Sequence, residues 1–203
     1  MDTSRLEAFS DGVFAIAITL LVLEIHVPSP GSGSLGHELA AQWPSYAAFI
    51  VSFLTIGIIW INHHAMLRRI ARADHSILIW NLALLMTISA LPFTTALMAS
   101  YLKESEGESL AASIYSGSFL LVTVVFLAMN HHILFRRVEF LGGDLDDAIR
   151  RLAIIRGAIG LLPYLAATVL AFLSPYLSLA ICAAVAGYYA SPHAAPGGSS
   201  AGA

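Results

Sequence analysis

The chain has 203 residues, 58% of them apolar and only 11% charged, with a mean hydropathy of +0.78; an average soluble domain is about 25% charged, so a water-soluble globule is excluded. Thirteen Asp and Glu against ten Lys and Arg leave a net charge of −3, without the basic patch that neutralises phosphates, so nucleic acid is not an expected partner. The single cysteine, Cys182, sits in an apolar stretch and supports neither a disulfide framework nor a thiolate metal cluster.

The apolar residues fall in six runs near or above the length that crosses a bilayer. They predict an all-α polytopic membrane protein with six transmembrane helices over residues 1–190. The first run, Leu6 to Val27, carries Asp11 and Glu24 and is too long for a signal core, so it reads as a retained helix. Thr3 or Ser4 is its expected cap, and the Pro28, Pro30, Gly31, Gly33 loop ends it. The second run starts near Pro44, which suits a first helical turn, and reaches Leu67. The third spans Ser76 to Tyr101, the fourth Leu110 to Phe135 and the fifth Leu152 to Leu173. The sixth, Pro175 to Tyr189, is short, and spanning is preferred to a re-entrant segment. Pro92 and Pro163 lie inside the third and fifth runs, where a missing backbone donor predicts kinks. Residues 191–203, mostly Ala, Gly, Ser and Pro without periodicity, are expected to form a disordered tail.

Basic residues near helix ends stay on the cytoplasmic side. With the N-terminus inside, Arg5, Arg68, Arg69, Arg72, Arg136, Arg137, Arg150, Arg151 and Arg156 all fall there, and only Lys103, among Glu104, Glu106 and Glu108, falls outside. Both termini are therefore expected in the cytoplasm. Asn62-His63-His64, followed after three residues by Arg68-Arg69, recurs as Asn130-His131-His132 with Arg136-Arg137. The echo fits a duplicated helix pair and equally fits convergence on one interfacial problem.

The polar residues inside the membrane carry most of the functional information. In Arg5-Leu6-Glu7-Ala8-Phe9-Ser10-Asp11-Gly12 a carboxylate sits about one turn into the first span. A charge buried there costs about 2.5–3.5 kcal/mol on insertion scales unless it is paired or hydrated. Its candidate partners are His63, His64, His131, His132 or an arginine at a helix end, forming either a structural clamp or an ion or proton pathway. Projection at about 100° per residue puts Phe9, Gly12 or Val13, Ile16, Leu20 and Leu23 on one stripe, with Thr19 at its margin and Asp11 about 140° from Ile16. An apolar stripe of that kind by default faces lipid or packs against a neighbour.

Arg5, Phe9, Ser10 and Asp11, followed by the apolar run from Val13 to Glu24, reproduce an Arg-x-x-x-Phe-Ser-Asp signature at the start of a first helix. By these residues the chain resembles the potassium channels of the transmembrane protein 175 type, found in bacteria and in animal lysosomes. Like them it lacks the Thr-Val-Gly-Tyr-Gly filter. The resemblance implies a homotetramer in a bacterial plasma (inner) membrane, crossing it several times and surrounded by lipid, with four copies of the first helix around a central pore. Ile16 would form the innermost hydrophobic ring, with Leu20 and Leu23 farther out and Thr19 offering a hydroxyl. Arg5, Phe9, Ser10, Asp11 and Gly12, with Trp60, His63 and His64, would hold the helix in place. The permeant ion would be potassium, with weak selectivity and no fixed metal. Physically, a narrow apolar ring gates ions by dewetting and discriminates little between them. Glu24, about 80° from Ile16, is either a cation-concentrating entrance group or a plain interfacial carboxylate.

Other chemistries find less footing. Adjacent histidines point about 100° apart on a helix and cannot chelate one metal or haem iron as an i, i+4 pair does. Gly142-Gly143-Asp144 with Asp146 and Asp147 lacks the ligand ladder of a calcium loop, and Asp144 is expected to cap a short helix leading into Arg150. No nucleophile and base constellation, phosphate loop or dinucleotide fingerprint occurs. Neither an enzyme activity, nor a cofactor, nor a small-molecule substrate is expected. The competing reading is a small proton-coupled carrier that uses Asp11 and the histidines as a relay.

Overall fold

The computed structural model describes residues 3–30, 33–143 and 146–191. Their secondary structure is helical, apart from one isolated antiparallel bridge between Ile70 and Leu141. In chain order the helices are α1 (Thr3–Leu20), continued by a 3-10 turn (Leu21–Glu24), α2 (Leu35–Ala41), α3 (Trp43–Leu67), α4 (His75–Ser89), α5 (Leu91–Tyr101) and α6 (Glu108–His131). A π turn (His132–Arg136) and a 3-10 turn (Val138–Phe140) follow, then α7 (Asp147–Ala158), α8 (Leu161–Leu170) and α9 (Pro175–Ala190). Five segments are long and apolar enough to cross a bilayer: Thr3–Glu24, Trp43–Leu67, His75–Tyr101, Glu108–Arg136 and Asp147–Leu170. Pro175–Ala190, at 16 residues, falls short of that length.

Prolines set where two of these segments break. Pro92 has no N–H for the carbonyl of Ile88, and the third segment divides at Ala90 into α4 and α5, with Pro92 in the first turn of α5. Pro163 likewise leaves the carbonyl of Ile159 without its partner, and the fifth segment divides at Ile159 and Gly160 into α7 and α8. The Tyr189 hydroxyl of α9 reaches into this break and donates to the carbonyl of Arg156 (3.2 Å). Pro44 sits in the first turn of α3 as expected.

Three local expectations change. Thr3 already lies within α1, so the first helix is not capped by Thr3 or Ser4, and the residue before it lies outside the described part. Asp144 also lies outside the described residues, while α7 is capped by Asp146, whose carboxylate accepts from the Ala148 N–H (3.4 Å). The short helix α2 is absent from the expected elements. The expected tail, apart from Ser191, lies outside the described residues.

α1 packs against α3, α4 and α5, whereas α6 runs against α4, α5, α7, α8 and α9. Fully buried Phe14, Ile56, Leu84, Ile88, Tyr115 and Phe119 fill the space between them. Hydroxyls add directional ties. Thr95 donates to its own helix at the Leu91 carbonyl (2.8 Å), so Ser52 must donate to Thr95 (2.8 Å) and accept from Tyr115 (3.1 Å). That chain joins α3, α5 and α6, each bond contributing about 0.6 kcal/mol, as interhelical hydrogen bonds in membranes do.

At the arginine-rich end, the two loops that follow the repeated Asn-His-His motifs meet. The Ala71 N–H donates to the Phe140 carbonyl (2.8 Å) and the Gly142 N–H to the Arg69 carbonyl (2.9 Å). Asp74 caps α4 by accepting from the Ile77 N–H (2.9 Å) and pairs with Arg137 Nε (2.7 Å). Partial desolvation opposes ionisation of Asp74, but the Ile77 N–H and the Arg137 guanidinium outweigh it and hold the carboxyl below its usual range. At the opposite end Lys103 donates to the Ala41 carbonyl (2.9 Å) and lies over the Trp43 ring, which stacks on Tyr176.

Candidate functional site: the two faces of the first helix

Leu6, Ser10, Phe14, Ala17 and Leu21 recur at helical spacing and form the buried face of α1 and the turn that continues it. Three polar ties reinforce this face at its N-terminal end. The Asn81 amide on α4 donates from Nδ2 to Ser10 Oγ (3.0 Å), and Ser10 in turn donates to the Leu6 carbonyl (2.8 Å). Asn81 Oδ1 has only acceptor capacity, so His63 must donate from Nε2 (2.8 Å), which fixes the tautomer of that buried histidine. Phe14 lies against the His63 ring, with centroids 5.3 Å apart.

The other two ties flank this buried chain. Trp60 Nε1 donates to Asp11 Oδ1 (2.8 Å), and His64 Nδ1 lies 2.7 Å from Glu7 Oε1. The rings of Trp60 and His64, one turn apart on α3, lie 5.9 Å apart. The carboxylate that enters the membrane is thereby hydrogen-bonded to a donor that carries no charge. Two helices, α3 and α4, clasp α1 through side chains at positions 7, 10 and 11.

The opposite face of α1 is open. Phe9, Ile16 and Leu23 are 57%, 61% and 66% exposed, and Leu20 is 43% exposed. Arg5, Gly12 and Thr19 share this open side. The Thr19 hydroxyl donates back to the Ile16 carbonyl (2.9 Å), which leaves its oxygen lone pairs facing outward. A shallow groove lined by Val13, Ile16, Ala17, Leu20 and Ser89 runs beside the stripe, with a volume of about 170 Å³.

Ser10, Asp11, Trp60, His63 and His64 therefore come together, while Arg5, Phe9 and Gly12 lie on the open side with Ile16, Thr19, Leu20 and Leu23. Asn81 and Glu7 complete the clasp. Among the described residues the second Asn-His-His copy builds no equivalent. His131 is exposed and stacks on Phe135, and His132 lies beside Trp80. Among the described residues no group of three or more His, Cys, Asp or Glu side chains is placed to hold a metal ion.

A helical bundle with five segments long and apolar enough to cross a bilayer defines a polytopic membrane protein. Residues 5–92 match the family model for the endosomal/lysosomal potassium channel TMEM175. A potassium channel of Streptomyces collinus is 46% identical over 189 residues, which covers 93% of this chain and 91% of that protein. A potassium channel of Chamaesiphon minutus is 42% identical over 93% of this chain and 94% of its own length. The crystal structure of a lysosomal potassium-selective channel TMEM175 homolog from Chamaesiphon minutus superposes with a TM-score of 0.80 at 43% identity, covering 93% of this chain and 96% of that one. The human endosomal/lysosomal proton channel TMEM175 is 30% identical over 87% of this chain, which spans 36% of the human protein. The chain belongs to the TMEM175 potassium-channel family.

Proposed function

We propose that the protein is a potassium-permeable, weakly selective cation channel of the bacterial plasma membrane, in which four identical subunits place α1 around a central path. The observation that carries this reading is the bare apolar stripe of α1, Ile16 to Leu23, opposite a clasp that holds the helix without using that stripe. One subunit encloses no such path among its described residues, and cyclic closure of identical copies supplies one on the symmetry axis. Ile16 forms the narrow ring that excludes water when closed, Leu20 and Leu23 widen the path outward, and Thr19 offers oxygen lone pairs between them. Residues 1–190 make the channel subunit, with six crossings, both ends in the cytoplasm and residues 191–203 as a tail.

The same geometry speaks against a relay. Asp11 is engaged by Trp60, and His63 by Asn81, so both are committed to holding α1. Shortening the constriction tests the assignment: Ile16→Ala in reconstituted vesicles is expected to raise resting potassium flux several-fold. Equal flux from variant and parent contradicts Ile16 as the gate.

A further inference from the structure

α7 differs from the other long helices in having no buried residue, and the helix it packs against is α6. Its sequence is amphipathic in an unusual way. Ile149, Leu152 and Ile155, with Ile159 just beyond, are exposed within an arc of about 120° at 100° per residue. Arg151 and Arg156 lie near opposite edges of that arc and are exposed. Arg150 points the other way and pairs with Asp147 (3.2 Å). Neither Arg151 nor Arg156 makes an ion pair among the described residues. The Tyr189 hydroxyl on the Arg156 carbonyl ties this turn of the chain to α9.

The position of α7 decides what can cover this face. α1 packs on α3, α4 and α5, and α7 on α6, so an assembly closed around α1 leaves α7 at the periphery. A peripheral membrane face meets lipid, and one that pairs an apolar strip with two guanidinium groups matches a lipid with acyl chains and a negative headgroup. Guanidinium binds phosphate through paired N–H donors, while its stem lies along the apolar surface.

We infer that the outer face of α7 is a binding site for anionic phospholipid, with the headgroup phosphate between Arg151 and Arg156 and the chains running along Ile155 and Ile159 toward α8. This inference rests on the proposed assembly around α1, which leaves α7 at the periphery, and on α7 lying in the membrane; it does not depend on which ion the pore conducts.

The full chain in nanodiscs of phosphatidylcholine and phosphatidylglycerol tests it, with spin-labelled forms of the two lipids as probes. The preference for phosphatidylglycerol is expected to fall about five-fold in Arg151→Gln and by a similar factor in Arg156→Gln, about 1 kcal/mol for each basic residue, whereas Lys103→Gln at the far end leaves it unchanged. Parental preference in both arginine variants overturns the site. Because Cys182 is buried, a nitroxide on Ile155→Cys reports separately on what lies over α7. Oxygen accessibility typical of lipid supports the inference, and dipolar broadening from a second copy's label overturns it.

Discussion

Asn81 is the one polar side chain in the apolar stretch from Ile77 to Leu85, and it holds two helices to a third. Without it the Nε2–H of His63 loses its partner in a dry interior and Ser10 keeps only its bond to the Leu6 carbonyl, and a buried polar group left unpaired costs about 1–3 kcal/mol. Asn81→Leu should therefore lower the thermal midpoint of the detergent-solubilised protein by several degrees, and an unchanged midpoint would show that the clasp contributes nothing. Ser10, Asp11, His63 and His64 are legible as members of this network because each is a polar residue at a recognisable position in the signature or the Asn-His-His motif, whereas Trp60 is in neither and follows only from the family resemblance. Asn81 has no such motif around it. Its only signal is the cost of an amide in hydrocarbon, which demands a partner without saying which one. Phe9 and Arg5 show the converse, since a signature groups residues that the helix then sends to different faces.

At the scale of elements, the long spans follow from hydropathy and the two breaks from proline chemistry. The short helix α2 was not legible, because seven residues between α1 and α3 carry too little periodicity to be distinguished from a turn. Loop geometry depends on partners far away in sequence, as with Gly107, which begins α6 at φ 88° with the Tyr101 ring against the place a Cβ would occupy (3.0 Å). Gly107→Ala is expected to destabilise by about 1–2 kcal/mol, the cost of a left-handed residue with a side chain. Equal stability of variant and parent in thermal unfolding would contradict that strain. The corner between α4 and α6 adds a pH dependence. Asp74 is more acidic folded than unfolded, so its contribution is present above the ordinary aspartate value of about 3.9 and disappears as pH falls through the lower folded value. The thermal midpoint should drop less steeply between pH 5 and pH 3 in Asp74→Asn than in the parent, and parallel curves would show that the ionised carboxylate and its Arg137 pair do not stabilise the fold.

For the whole molecule, the proposed function rests on an asymmetry built into one helix. α1 is anchored by α3 and α4 near its N-terminal end and leaves an apolar stripe that no other described element covers. The sequence alone carries the stripe, yet an apolar stripe in a bilayer means lipid as readily as a pore. The placement of Asp11, Ser10 and Glu7 against α3 and α4, which only the packed helices reveal, fixes which side of α1 is left bare; the proposed assembly puts that side on the symmetry axis. Silver ion is close to potassium in size and binds thiols wherever it can reach them, so it tests the path directly. With Cys182 buried, potassium flux through Ile16→Cys channels should be blocked by silver at concentrations that leave the parent and the peripheral Leu162→Cys variant unaffected. Undiminished flux through Ile16→Cys under the same exposure would contradict a conduction path lined by α1.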